Sequence, residues 1–130
     1  MSRGRILFID DSLAVLARVR VALSEAGFTV EATDQTVGIA RHLGKVELVI
    51  IDYHMPGRDG MVVLDSLRAA ARELPDPPAF FLYTSDETIS HRARALGFDG
   101  GIDRKGDDEA LVRQVDAALR LLRIRRMRKA

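Results

Sequence analysis

Cysteine is absent from the 130-residue sequence. That rules out a disulfide framework, a thiolate metal site and a cysteine nucleophile. No apolar run is long enough to cross a bilayer, and the first residues, Met1-Ser2-Arg3-Gly4-Arg5, lack the pattern of a secretory signal. A cytoplasmic protein without membrane association is therefore expected. A glycine-rich phosphate loop is also missing, since Asp10-Asp11-Ser12-Leu13 stands where a nucleotide- or flavin-binding module would carry one. The histidines His42, His54 and His91 have no metal-ligand spacing. Proline is scarce, and Pro75, Pro77 and Pro78 fall together, which excludes a helix or central strand there and predicts a loop over 74–78.

Four branched aliphatics are present where the chain is least interrupted: Leu48-Val49-Ile50-Ile51, running directly into Asp52. An unbroken apolar run of this length predicts a strand buried on both faces of a parallel sheet. Arg5-Ile6-Leu7-Phe8-Ile9 is a second such run and also ends in carboxylates, Asp10 and Asp11. Helical spacing begins at Leu13 after Ser12, a good N-cap, and stops at Gly27. Residues 28–32 alternate as an edge strand would, residues 36–43 read as a short helix, and 61–73 as a longer one. A third apolar strand over 79–84 ends in Thr84. Helix is predicted over 87–96, a weak strand over 100–105, and a final helix from Asp107 or Asp108 that carries Leu111, Val115, Leu119 and Leu122. Alternating β and α elements with buried strands make this an α/β, doubly wound parallel sheet of five strands flanked by five helices.

The carboxyl ends of parallel strands share one edge, where ligands bind in open α/β sheets. That edge collects Asp10 and Asp11, Asp52, Thr84, and Arg104 or Lys105. Converging carboxylates repel and raise one another's pKa, which a divalent cation relieves, and hard oxygen donors with open positions suit Mg²⁺. A hydroxyl and a fixed cation opposite Asp52 suit a three-oxygen anion, with Asp52 as the nucleophile that forms an acyl phosphate. A phosphohydrolase with an Asp nucleophile, of the haloacid-dehalogenase type, wants Asp-x-Asp. Here Ser12 lies two residues after Asp10 and His54 two after Asp52, so that motif is missing.

In this order, Asp10-Asp11, Asp52 followed by Met55-Pro56-Gly57-x-Asp59-Gly60, Thr84, and Gly97-x-Asp99-Gly100 resemble a response-regulator receiver domain, the CheY-like fold of bacterial two-component signalling. The resemblance covers residues 5 to about 122. It implies a flavodoxin-like sheet of order 2-1-3-4-5. It implies that Asp52 accepts a phosphoryl group from a histidine kinase or phosphotransfer protein, and that the chain is a switch rather than an enzyme with turnover on other substrates. Asp11, Asp52 and the backbone carbonyl of His54 would bind Mg²⁺, with Asp10 assisting through water. Thr84 would turn inward to the phosphoryl oxygen and report to the face of the fourth helix, fifth strand and last helix, which engages a downstream protein.

Two positions depart from the family pattern. The Lys that the family normally has at the end of the fifth strand falls on Arg104 without a gap, with Lys105 in the place of the usual Pro. Either a one-residue bulge delivers Lys105 or Arg104 takes the role, and the two are not interchangeable. Gly101 stands where an aromatic is usual, so the aromatic half of the relay is missing. Readout is then expected through backbone shifts of the fourth helix and the loop before it.

Residues 1–122 are assigned to the receiver domain and 123–130 to a basic extension of the last helix or tail. The last eleven residues hold six basic side chains and no acid, so removing those six charges from the net +1 leaves −5. The extension reads as a solvated helix end, a basic docking surface, or the start of a linker. So short a run with no recognition helix predicts no specific nucleic-acid binding. A monomer or a phosphorylation-linked dimer is expected.

Overall fold

A computed structural model of the chain describes residues 2–55 and 58–129. Pro56 and Gly57, part of the loop motif after Asp52, lie outside the described residues. Five strands build the main sheet: β1 (Arg5–Ile9), β2 (Thr29–Thr33), β3 (Leu48–Asp52), β6 (Ala79–Tyr83) and β7 (Gly100–Ile102). Two further strands of two residues each, β4 (His54–Met55) and β5 (Arg58–Asp59), pair antiparallel just beyond β3. The main sheet is wholly parallel in the order β2-β1-β3-β6-β7, which is 2-1-3-4-5 once the short pair is set aside.

Every residue of β3 is buried, as its unbroken apolar run requires of a strand covered on both faces. Alternate residues supply two separate cores. Ile6, Phe8, Leu48 and Ile50 pack with Leu16, Val19 and Leu23 of α1 (Leu13–Glu25) and with Leu111, Val115 and Leu119 of α4 (Asp108–Lys129). Leu7, Ile9, Val49, Ile51 and Leu82 face the other way, onto Leu64 and Leu67 of α2 (Gly60–Ala71) and Leu43 of a 3-10 helix (Ile39–Lys45). Each such side chain contributes about 1.5–3 kcal/mol of burial, so the strands that carry the site are the best-anchored part of the chain.

Local caps decide where the helices begin. Ser12 Oγ accepts from the Val15 amide at 3.3 Å, and Asp59 Oδ1 accepts from the Met61 amide at 2.8 Å. Asp107 caps α4, accepting from the Ala110 amide at 3.0 Å. Asp59 is thus the cap of α2.

Two helices differ from the expected ones. The segment expected to be helical over 36–43 is the 3-10 helix Ile39–Lys45. It is confined between Gly38, at φ 78°, and the extended Val46, and so short a stretch favours the tighter helix. The helix expected over 87–96 is α-helical only over α3 (Glu87–His91). Beyond it, Arg92 and Ala93 donate to Ile89 and Ser90, three residues back rather than four, and the rest continues as turns to Gly97. The weak final strand ends at Ile102 instead of 105, because Arg104 takes φ 55° and turns the chain out of the sheet. Towards the C-terminus α4 runs unbroken from Asp108 to Lys129, so residues 123–129 continue this helix.

Candidate functional site

Register places the candidate residues. Ile9 is paired with Ile51, so Asp10 and Asp52 leave β1 and β3 side by side. Asp52 is paired with Tyr83, so Thr84 follows on the adjacent strand. All three are buried, Asp10 and Asp52 at 2% exposure and Thr84 at 0%. Asp11 is half-buried next to Asp10.

Lys105 joins the two carboxylates. Its Nζ stands 3.1 Å from Asp52 Oδ1 and 3.7 Å from Asp10 Oδ2. The left-handed turn at Arg104, followed by Gly106 at φ 101°, carries Lys105 to this position. Arg104 itself is exposed and lines a separate recess with Glu87, His91, Asp103 and Gln114, so the structure brings Lys105 and not Arg104 to the carboxylates.

Hydrogen bonds fix one oxygen of each acid. The Ser12 amide donates to Asp10 Oδ1 at 2.9 Å, and the His54 amide donates to Asp52 Oδ1 at 3.2 Å. Asp10 Oδ2 is buried and accepts no hydrogen bond among the described residues. Burial is the main cause that holds the Asp10 carboxyl above its ordinary pKa. The Asp52 charge adds to it, and the Ser12 amide and Lys105 oppose it. The His54 side chain is exposed, its ring edge-on to Tyr53 at 5.0 Å, so it is His54's backbone that meets Asp52.

Thr84 Oγ1 accepts from the Asp86 amide at 3.1 Å, and its own amide donates to Ile102 O at 3.1 Å. Asp86 in turn caps α3, accepting from the amides of Thr88 at 2.9 Å and Ile89 at 3.3 Å. A short hydrogen-bonded chain therefore runs from Thr84 to the start of α3. At Gly101 the helix lies directly on the strand: a Cβ there would meet Ser90 Oγ at 2.6 Å and Ser90 O at 2.8 Å.

Tyr83 has a part in the site that the sequence did not suggest. It is fully buried edge-on to Phe8, Lys105 Nζ sits 5.5 Å from its ring centre, and its hydroxyl accepts from the Gly106 amide at 3.4 Å. It holds the turn that delivers Lys105. Burial lifts its pKa, against the Gly106 amide and the charges of Arg18 and Lys105. The available signal was its position, paired with Asp52 and one residue before Thr84.

Among the described residues no three His, Cys, Asp or Glu side chains are gathered as a metal site. Mg²⁺ asks for less, taking one or two carboxylates and keeping several waters. Two neighbouring buried carboxylates, one with an unsatisfied oxygen, fit that donor set.

The description "Response regulator receiver domain" belongs to the family profile that matches residues 6–116. Response regulator MprA of Mycobacterium ulcerans is 32% identical over 101 residues, 76% of this chain and 41% of that protein. Transcriptional activator protein IrlR of Burkholderia pseudomallei is 32% identical over 120 residues, 89% of this chain and 50% of that protein. The chain thus spans about half the length, or less, of these curated relatives. The chemotaxis response regulator CheY4 of Vibrio cholerae superposes with TM-score 0.69 at 20% identity, over 88% of this chain and 98% of that one, a likeness of fold. With the parallel sheet and the acidic edge already described, the profile match shows that the chain belongs to the response-regulator receiver domain family of two-component signalling.

Proposed function

We propose that this receiver accepts a phosphoryl group on Asp52 and works as a phosphorylation-controlled switch. The observation that carries the reading is the Lys105 ammonium set between two buried carboxylates at the strand edge, 3.1 Å from Asp52 and 3.7 Å from Asp10. A salt bridge placed only for stability has no need of three buried polar groups at the ligand-binding end of a parallel sheet.

In the proposed step an Asp52 carboxylate oxygen attacks the phosphorus of a phosphohistidine on a kinase or phosphotransfer protein. The O–P bond forms as the N–P bond breaks, and the imidazole nitrogen keeps the electron pair. Asp10, Asp11, Asp52 and the carbonyl of residue 54 would hold Mg²⁺, which offsets charge on the phosphoryl oxygens when bound. Lys105 moves from the free carboxylate to a phosphoryl oxygen. Thr84 Oγ1 accepts from Asp86, which leaves its O–H to donate to another phosphoryl oxygen. Turning Thr84 inward breaks its bond to Asp86 and shifts the cap of α3, so the signal reaches the α3-β7-α4 face through backbone. Hydrolysis reverses the state: water adds at phosphorus and Asp52 leaves as carboxylate. The partners are a donor kinase or phosphotransfer protein and a downstream protein in the cytoplasm. His54, exposed beside Asp52, flanks the path of the hydrolytic water.

Incubation with a small acyl-phosphate donor and Mg²⁺, read by intact mass, tests the reading. One labile phosphoryl adduct is expected, absent in Asp52→Asn and lost on chelation. Absence of any adduct in the wild-type chain at saturating donor would refute it.

A further inference from the structure

At the end of the sheet opposite Asp52, a recess of about 430 Å³ opens where β6 begins. Its walls are the C-terminal end of α2, the proline loop 75–78 and the end of α4. Such a volume lies within the range of ligand sites, roughly 300–1,000 Å³.

Four guanidinium groups border it: Arg68, Arg72, Arg125 and Arg126. Two of them build the walls. Arg68 donates to Gly97 O at 3.0 and 2.6 Å and covers the Phe80 ring at 5.0 Å. Arg126 donates to Asp76 O at 3.3 Å and Pro77 O at 3.1 Å, tying α4 to the proline loop. The other two, Arg72 and Arg125, are exposed, and their side chains have no hydrogen-bond or ion-pair partner among the described residues. Of the acids at the rim, Asp99 is already engaged by Arg68 at 3.3 Å and by the Phe80 amide at 2.7 Å. The other acid of the lining, Asp76, is exposed, so four guanidinium groups face two carboxylates and leave an excess of positive charge, and guanidinium matches carboxylate in a bidentate way.

Between these charges the surface is apolar, formed by Leu122, Ala79 and the proline rings. Leu122 is half-buried here. An inorganic anion gains nothing from that surface, whereas an aliphatic side chain does. We propose that this recess docks an acidic peptide segment of a partner protein, with carboxylates on Arg72 and Arg125 and an apolar side chain between them on Leu122. Because the recess lies at the far end of the strands from Asp52, the segment and a phosphoryl donor bind at once.

The test uses the full chain, ¹⁵N-labelled, titrated with an acetylated Glu-Leu-Glu-Leu-Glu peptide and separately with inorganic phosphate and anionic phosphatidylglycerol vesicles. Expected are peptide-dependent shifts confined to amides near residues 72–79 and 122–126. The double variant Arg72→Glu/Arg125→Glu, checked for folding by circular dichroism and for unchanged Asp52 phosphorylation, should weaken binding by about ten-fold or more. Arg72→Lys/Arg125→Lys should fall between, since it keeps charge and loses the fork. The proposal is overturned by shifts that phosphate reproduces at equal concentration, by vesicle binding without peptide binding, by shifts elsewhere, or by charge reversal without effect.

Discussion

Lys105 is bound to Asp52 across the top of the sheet, its Nζ 3.1 Å from Oδ1, while Arg104 beside it faces a different recess. Adjacent cations thus have separate surroundings, and their substitutions should separate too. Lys105→Ala is expected to slow adduct formation from a small acyl-phosphate donor by at least about ten-fold, the scale on which a placed electrostatic donor acts in transfer reactions. Arg104→Ala should leave it within about two-fold, as an exposed charge screened by solvent would. Initial rates by mass spectrometry decide between them, and the opposite ranking would sink the assignment of Lys105.

Asp10 sets a pH dependence. Its folded pKa is raised, first by burial and then by the Asp52 charge against the Ser12 amide and Lys105. The folded chain therefore keeps that proton to a higher pH than the unfolded chain, whose aspartate titrates near 3.8. Stability from this group is lost as pH rises from about that value through the raised one. Asp10→Asn cannot ionise, so it should be more stable than wild type at neutral pH without divalent cations, and the advantage should vanish toward low pH. Urea midpoints at a series of pH values measure this. Added Mg²⁺ should narrow the gap by stabilising the wild type more than the variant, which keeps Asp11 and Asp52 but lacks the Asp10 charge. A variant less stable than wild type at neutral pH would contradict the account.

The end of α4 is held to the body of the domain. Arg123 forks Glu47 with two contacts of 3.0 Å and donates to Arg3 O at 2.7 Å. Arg123 is nearly half exposed, so the pair is partly screened, and Glu47→Ala should cost no more than about 1 kcal/mol. The cost should shrink in high salt. Urea denaturation at two ionic strengths reads both effects. A loss independent of salt would assign Glu47's role to packing instead.

Much of this was legible because burial and charge conflict openly in the sequence. An apolar run such as Leu48 to Ile51 that ends in a carboxylate announces both a buried strand and its ligand edge, and Ile9 before Asp10 repeats the signal. What was not legible depends on single backbone angles and close approaches. The choice between Arg104 and Lys105 rests on φ 55° at Arg104, a state that no hydrophobic period encodes. Tyr83 reads as core, and only the fold brings its hydroxyl to Gly106. Gly101 shows in the sequence as a missing aromatic. The fold adds that Ser90 of α3 packs directly on this glycine, and that bears on the switch.

At Gly101 the contact with α3 leaves no room for a side chain. A Cβ would lie 2.6 Å from Ser90 Oγ, 2.8 Å from Ser90 O and 3.2 Å from Ser90 Cα. Two of these atoms are backbone, so the helix must move to admit a methyl group. Gly101→Ala should therefore destabilise the domain by about 1–3 kcal/mol. Ser90→Ala added to it should recover little, because the carbonyl and Cα remain. In the proposed relay the same displacement pushes α3 from β7 and disturbs its cap at Asp86, which Thr84 reaches through the Asp86 amide. NMR shifts at Asp86, Thr88 and Ile89 in unphosphorylated Gly101→Ala should therefore move toward their positions in the phosphorylated wild type. Shifts confined to residues 100–102 would show that α3 is not the element that carries the signal.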